Sequence, residues 1–248
     1  MDDGETILSV DDLRKQFDGI VAVDDVTARF YEDELHAIIG PNGAGKTTFF
    51  NLLTGALTPT SGTIVFDGEE ITGVPPSEIA RRGLIRSYQV TKLFDGLSVL
   101  ENVAVAVQTN ENSYNFWGKA PPEITDRAHE ILERVDLAPK ADTLASNLSH
   151  GEQRTLEIAV ALGTDPKLLL LDEPTSGMSP EETRDVIQLI GELRRDLPII
   201  LIEHKMSVVN EVADRILVLH NGKKIADDVP DAVRQDREVR RVYLEGTA

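Results

Sequence analysis

Between residues 7 and 30, apolar side chains fall at close to every second position: Ile7, Leu8, Val10 and Leu13, then Val21, Val23 and Val26. That spacing predicts paired strands with one buried face, and Asp18-Gly19 supplies the turn between them. The run Leu35–Ile39 predicts a short buried strand, and residues 46–53 predict the helix that follows. Thr63–Phe66 reads as another strand, closed by Asp67-Gly68. From about Leu93 to Leu162 the pattern turns helical, with Ile131, Leu132, Val135 and Leu137 on one face. Thr109–Pro122, with Asn, Gly and adjacent prolines, predicts a loop. Leu168–Leu171 and Ile199–Ile202 are continuous apolar runs bounded by turn residues, the pattern of parallel strands covered on both faces. Residues 186–193 between them predict the crossover helix. The alternation implies one α/β domain over 1–248, with core segments at about 1–92 and 163–248 and a helical insert at about 93–162.

Chemistry concentrates where these strands end. Gly40-Pro41-Asn42-Gly43-Ala44-Gly45-Lys46-Thr47 fits G-x-x-x-x-G-K-[ST] at every fixed position. Glycines there let backbone N–H groups turn toward phosphate oxygens, and the following helix aims its positive end at the anion. Lys46 is expected to reach the β- and γ-phosphates, the Thr47 hydroxyl to ligate Mg²⁺, and Thr48 to line the same site. After Leu168–Leu171 come Asp172 and Glu173. Ligands of open α/β sheets bind beyond the carboxyl ends of strands. Asp172 is therefore expected to hold Mg²⁺ through water, and Glu173 to polarise the attacking water.

Composition narrows the setting. The formal net charge is −18, with 43 acidic against 25 basic residues, which opposes a nucleic-acid surface and binding to anionic lipid. The acid is spread along the chain, consistent with a solvated acidic surface or with adaptation to high salt. There is no cysteine, so thiol catalysis, disulfides and cysteine-based zinc sites are excluded. No apolar run approaches the ~20 residues that span a bilayer. The acidic start MDDGET does not read as a secretory signal, so an intracellular chain is expected.

A third motif adds a resemblance. Leu148-Ser149-His150-Gly151-Glu152-Gln153 resembles the LSGGQ signature of the ABC ATPases, with His150 where the family has glycine. Other phrases agree in order: Gln89 in IRSYQ, LEIA at 156–159, Ser176-Gly177-Met178-Ser179 as the D-loop with Ser179 where many members have Asp, His204 in LIEH, and Phe17. The resemblance implies an α/β P-loop NTPase of RecA-like type, with an antiparallel β subdomain and a helical insert. It implies ATP and Mg²⁺ as ligands, Phe17 stacking on adenine, Gln89 touching Mg²⁺, and His204 contacting the γ-phosphate. It also implies a head-to-tail dimer in which Ser149, Gly151 and Gln153 of one subunit close over the nucleotide held by its partner. The nearest likeness is to ATPase subunits for branched-chain amino acid uptake. Urea and amide importers, lipopolysaccharide exporters, non-transport ABC ATPases and a regulatory module that holds ATP unhydrolysed stand as alternatives. The implied partners are transmembrane permease subunits, a second ATPase subunit in either a homodimer or a heterodimer and, indirectly, a solute-binding protein, at the cytoplasmic face of the membrane.

Overall fold

The computed structural model describes residues 4–87, 93–110 and 121–245. In chain order its elements are β1 (Thr6–Phe17), β2 (Ile20–Tyr31), β3 (Leu35–Ile39), α1 (Lys46–Leu53), β4 (Ser61–Phe66), β5 (Glu69–Glu70), α2 (Pro76–Arg81) and β6 (Leu84–Arg86). There follow α3 (Val99–Asn110), α4 (Pro122–Arg134), two short 3₁₀ turns, α5 (His150–Gly163), β7 (Leu168–Asp172), α6 (Pro180–Leu193) and β8 (Ile199–Ile202). The chain ends in α7 (Met206–Val212), β9 (Arg215–His220), β10 (Lys223–Asp228), α8 (Pro230–Gln235) and α9 (Arg237–Glu245).

Two sheets form. β2-β1-β4-β5 is antiparallel, with β1 and β2 turned by Asp18-Gly19. The second has the order β10-β9-β3-β8-β7-β6, parallel throughout except for the β9–β10 hairpin. Its inner strands are mostly apolar because both faces are covered, with His36 the buried polar exception within β3. Leu168 and Leu170 join a core with α1 and the antiparallel sheet, including Phe30, Phe49 and Phe50. Leu169 and Leu171 point the other way, into a core shared with α3–α6. Successive strand side chains alternate faces, so one four-leucine run supplies both cores. Burying each such leucine stabilises the fold by about 2 kcal/mol.

Several boundaries move. β4 starts two residues before the predicted strand, at Ser61. The crossover helix α6 starts at Pro180 rather than 186, because Ser179 and Glu182 form a reciprocal capping box. The predicted loop over 109–122 begins too early: Thr109 closes the last turn of α3, its hydroxyl donating to the Val105 carbonyl at 2.9 Å.

Candidate functional site

The ends of β3, β7 and β8 lie side by side, since β3 pairs with β8 and β8 with β7, all parallel. Residues following these strands therefore share one edge of the sheet. One cleft there is lined by Asn42–Thr48, Ala22, Glu173 and His204.

The glycine loop joins β3 to α1 in a backbone that other residues would strain. Gly45, at the start of α1, has φ +101, and a Cβ there would lie 2.3 Å from the Ala22 carbonyl oxygen. A Cβ on Gly40 would lie 2.2 Å from the Leu219 carbonyl oxygen. The loop is thus wedged between β2 and the β9–β10 turn, where the Gly222 N–H also donates to the Ala44 carbonyl at 2.9 Å. The Lys46 side chain folds back into the loop. Its Nζ donates to the Gly40 and Pro41 carbonyls at 2.7 and 3.1 Å. Burial of that ammonium pulls its pKa below the usual lysine value, opposed by the nearby carboxylates of Glu173 and Asp172. Thr47 is exposed and Thr48 half-buried.

Asp172 ends β7, and its carboxylate accepts a hydrogen bond from the Arg86 guanidinium. Arg86, on β6, is only 3% exposed, and its other arm donates to Asn51 Oδ1 on α1 at 2.7 Å. Glu173 follows at φ +48, a left-handed backbone position uncommon for a glutamate, with its N–H bonded to the Ile202 carbonyl. Its Oε1 lies 2.5 Å from His204 Nε2. Behind His204, buried Glu203 accepts from the His204 N–H at 2.9 Å and from the Thr175 hydroxyl at 2.5 Å. That web fixes the turn after β8 against the one after β7. Phe17 ends β1 and is 40% exposed, with Lys15 Nζ 4.9 Å from its ring centroid. Its ring face is therefore not consumed by a core.

The signature segment lies at the start of α5. Ser149 is its N-cap: the Ser149 hydroxyl accepts from the Glu152 N–H, and Glu152 Oε2 accepts from the Ser149 N–H at 2.9 Å. Lys140 pairs with Glu152 and, with the Ser149 N–H, holds its carboxyl below the usual range. The His150 ring nitrogen Nε2 lies 3.3 Å from the Ser176 carbonyl, tying the signature to the D-loop. Gln153 turns elsewhere, its amide donating to the Ala145 carbonyl at 3.3 Å. Gln89 lies outside the described residues.

A sequence profile described as ABC transporter matches residues 23–176. The chain is also 42% identical to the High-affinity branched-chain amino acid transport ATP-binding protein LivG of Escherichia coli (strain K12), across 97% of this chain and 98% of that one. The chain belongs to the ABC transporter ATP-binding family.

Solved cassettes agree with the fold. The ADP conformation of an ATP-binding cassette of an ABC transporter matches with a TM-score of 0.86 at 30% identity, covering 97% of this chain and 99% of that one. A dimeric bacterial ABC transporter cassette matches with a TM-score of 0.76 at 25% identity, over 90% and 98% of the two chains. The fold is thus that of a P-loop cassette, and the protein is an ATP-binding ATPase. Local sequence reading passed over four of its contacts. Ala22 and Gly222 back the glycine loop, Arg86 holds Asp172, and Glu203 holds the turn of His204. Glu203 carried a signal, a carboxylate directly after a buried strand; the other three are contacts between distant segments.

Proposed function

We propose that this cassette is the ATP-hydrolysing subunit of an importer for branched-chain amino acids. The observation that carries the solute is the 42% identity to LivG over nearly the full length of both chains. The geometry that supports the chemistry is one sheet edge bearing Lys46, Asp172, Glu173 and His204.

The site works by positioning and charge, as phosphoryl transfer requires. Backbone N–H groups of Gly43–Thr47 surround the phosphates. Lys46 leaves its two carbonyls for the β- and γ-oxygens. Phe17 offers a ring face to adenine. Glu173 orients and polarises the attacking water, and His204, held beside it, contacts the γ-phosphate. Among the described residues no cluster of three or more His, Cys, Asp or Glu could hold a metal alone. Asp172, ending β7 with its carboxylate paired to Arg86, and the exposed Thr47 hydroxyl at the start of α1 would hold Mg²⁺, Asp172 through water, which suits an ion that keeps several waters and takes one or two carboxylates together with substrate phosphates. When bound there, Mg²⁺ neutralises charge on the phosphates.

The cycle needs a second subunit. Ser149 and Gly151 of one cassette cover the nucleotide on the other, the head-to-tail arrangement the signature implies, and the dimeric neighbour supports such pairing. Closure passes through the Gln89 segment and the helices between β6 and β7 to permease subunits at the cytoplasmic face of the membrane. No helix among the described residues is long and apolar enough to cross a membrane. Capture of the tagged chain from detergent-solubilised membranes, with leucine uptake measured in cells lacking it, tests the proposal. Co-purified permease subunits and lost uptake support it. Capture of a lipopolysaccharide-export permease, or unimpaired uptake of leucine, isoleucine and valine, refutes it.

A further inference from the structure

The start of α5 presents the groups expected to meet a γ-phosphate, the Ser149 hydroxyl and the Gly151 N–H. In this structure that N–H is already engaged. It donates to Glu182 Oε1, on α6, at 3.1 Å. The other oxygen of the same carboxylate accepts from the Ser179 N–H at 3.0 Å, and the Ser179 hydroxyl accepts from the Glu182 N–H at 3.2 Å. One carboxylate thus bridges the N-terminal ends of two 14-residue helices, joining residues 31 positions apart in the chain. The approach depends on glycine: a Cβ at position 151 would lie 2.8 Å from both Glu182 Cγ and Oε1. The N–H groups of Ser179 and Gly151 hold the Glu182 carboxyl below the usual glutamate range, so it is ionised at neutral pH.

We propose that Glu182 is the resident anion of the signature helix, occupying the Gly151 N–H until the γ-phosphate on a second subunit displaces it. This rests on the lid role of Ser149 and Gly151 given above. One N–H hydrogen serves one strong acceptor, and two anions at one helix start repel each other. Closure over ATP therefore requires the carboxylate to leave, and its departure sets the ATP concentration at which two subunits close. The exchange also carries a signal. Glu182 and the His150–Ser176 contact both join the signature to the loop Ser176–Ser179, so the displacement loosens the start of α6 at the moment of closure.

The test uses the whole chain carrying Glu173→Gln, so that bound ATP is not consumed, with and without Glu182→Gln. The amide keeps the shape and an acceptor for the Ser179 N–H but removes the charge. Sedimentation across an ATP series is expected to show half-maximal dimerisation of the double variant at an ATP concentration at least fivefold lower. An unchanged or higher concentration overturns the exchange. A parent that stays monomeric at saturating ATP overturns the lid reading for a pair of these chains, and the exchange with it. The contact is also checked in the monomer. The ¹⁵N–¹H signal of glycine-labelled Gly151 is expected to move as acid protonates Glu182, and to lose that step in Glu182→Gln. A Gly151 signal indifferent to Glu182 overturns the proposal.

Discussion

Replacing Lys46 by Met separates what the lysine does for the nucleotide from what it does for the fold. In the structure the residue is only 6% exposed and its ammonium is bonded to two loop carbonyls. Its folded pKa lies below the unfolded value, which fixes the sign of its contribution. Between the two pKa values the unfolded chain binds more protons, so stability rises with pH there. Below the folded value, where the lysine is charged in both states, the cost of burying the charge is present in full. Met keeps the apolar stem and deletes that cost together with the two hydrogen bonds that offset it. The expected net change in the nucleotide-free protein is within about 1 kcal/mol, or roughly 4 °C in Tm for a chain of this size. Nucleotide binding should respond far more. A unit charge about 3 Å from a phosphate oxygen is worth roughly 5 kcal/mol at an effective dielectric near 20. Surrender of the carbonyl bonds takes back about half, leaving roughly 2–3 kcal/mol. That corresponds to a Kd about 30- to 150-fold weaker. Calorimetry with ATP and Mg²⁺ in the Glu173→Gln background, beside thermal melts without nucleotide, reads both quantities. A Kd within threefold of the parent, or a melt lowered by more than about 10 °C, refutes the division of roles.

Two further substitutions probe the neighbouring machinery. Glu173→Gln should keep ATP affinity while lowering steady-state turnover at least ~100-fold, the lower range for losing a positioned base; turnover within tenfold of wild type in a phosphate-release assay contradicts the role of Glu173. Gly45→Ala places a Cβ 2.3 Å from the Ala22 carbonyl oxygen at φ +101, so strain and overpacking should remove about 3 kcal/mol or more. Calorimetric melting should fall by at least ~6 °C, and a drop under half of that shows the loop relaxing freely.

The strands that end at the site were legible because a buried parallel strand reads as a nearly continuous apolar run. Leu35–Ile39 and Ile199–Ile202 match their predicted bounds, and β7 extends its predicted run only by Asp172. The glycine motif fixed α1 to the residue, since Lys46 opens the helix in both readings. What stayed hidden was held by partners rather than by pattern. β10 reads KKIADD, too polar to announce a strand, and pairs only as the outer strand against apolar β9. The first turn of α6 is acidic and shows no apolar face; its start lay instead in the Ser179–Glu182 capping box. Arg86 against Asp172, and Glu182 against Gly151, join segments far apart in the chain. No local periodicity carries such contacts, and they are the ones that hold the site's charges in place.

The acidity of the chain takes on a structural form that sharpens its expected salt response. Asp12, Asp18, Asp25, Asp67, Asp136 and Asp165 all adopt positive φ at exposed positions. Glycine or asparagine suits that conformation as well or better, so the conformation alone does not demand a carboxylate. Each choice adds a charge to a surface already carrying a net −18. Self-repulsion of that kind weakens as the screening length falls from ~10 Å at 0.1 M salt to ~3 Å at 1 M. Melting temperature should therefore climb with KCl over this range. Hofmeister effects on apolar burial could mimic the trend, but charge neutralisation separates the two. Asp18→Asn, Asp136→Asn and Asp165→Asn together retain a side chain that tolerates positive φ and bring the formal charge from −18 to −15. This triple variant should melt higher than wild type at 0.1 M KCl and show a shallower slope with added salt. A slope equal to that of wild type assigns the salt effect to solvent exclusion rather than to the acidic surface, and a flat wild-type profile removes the high-salt reading altogether.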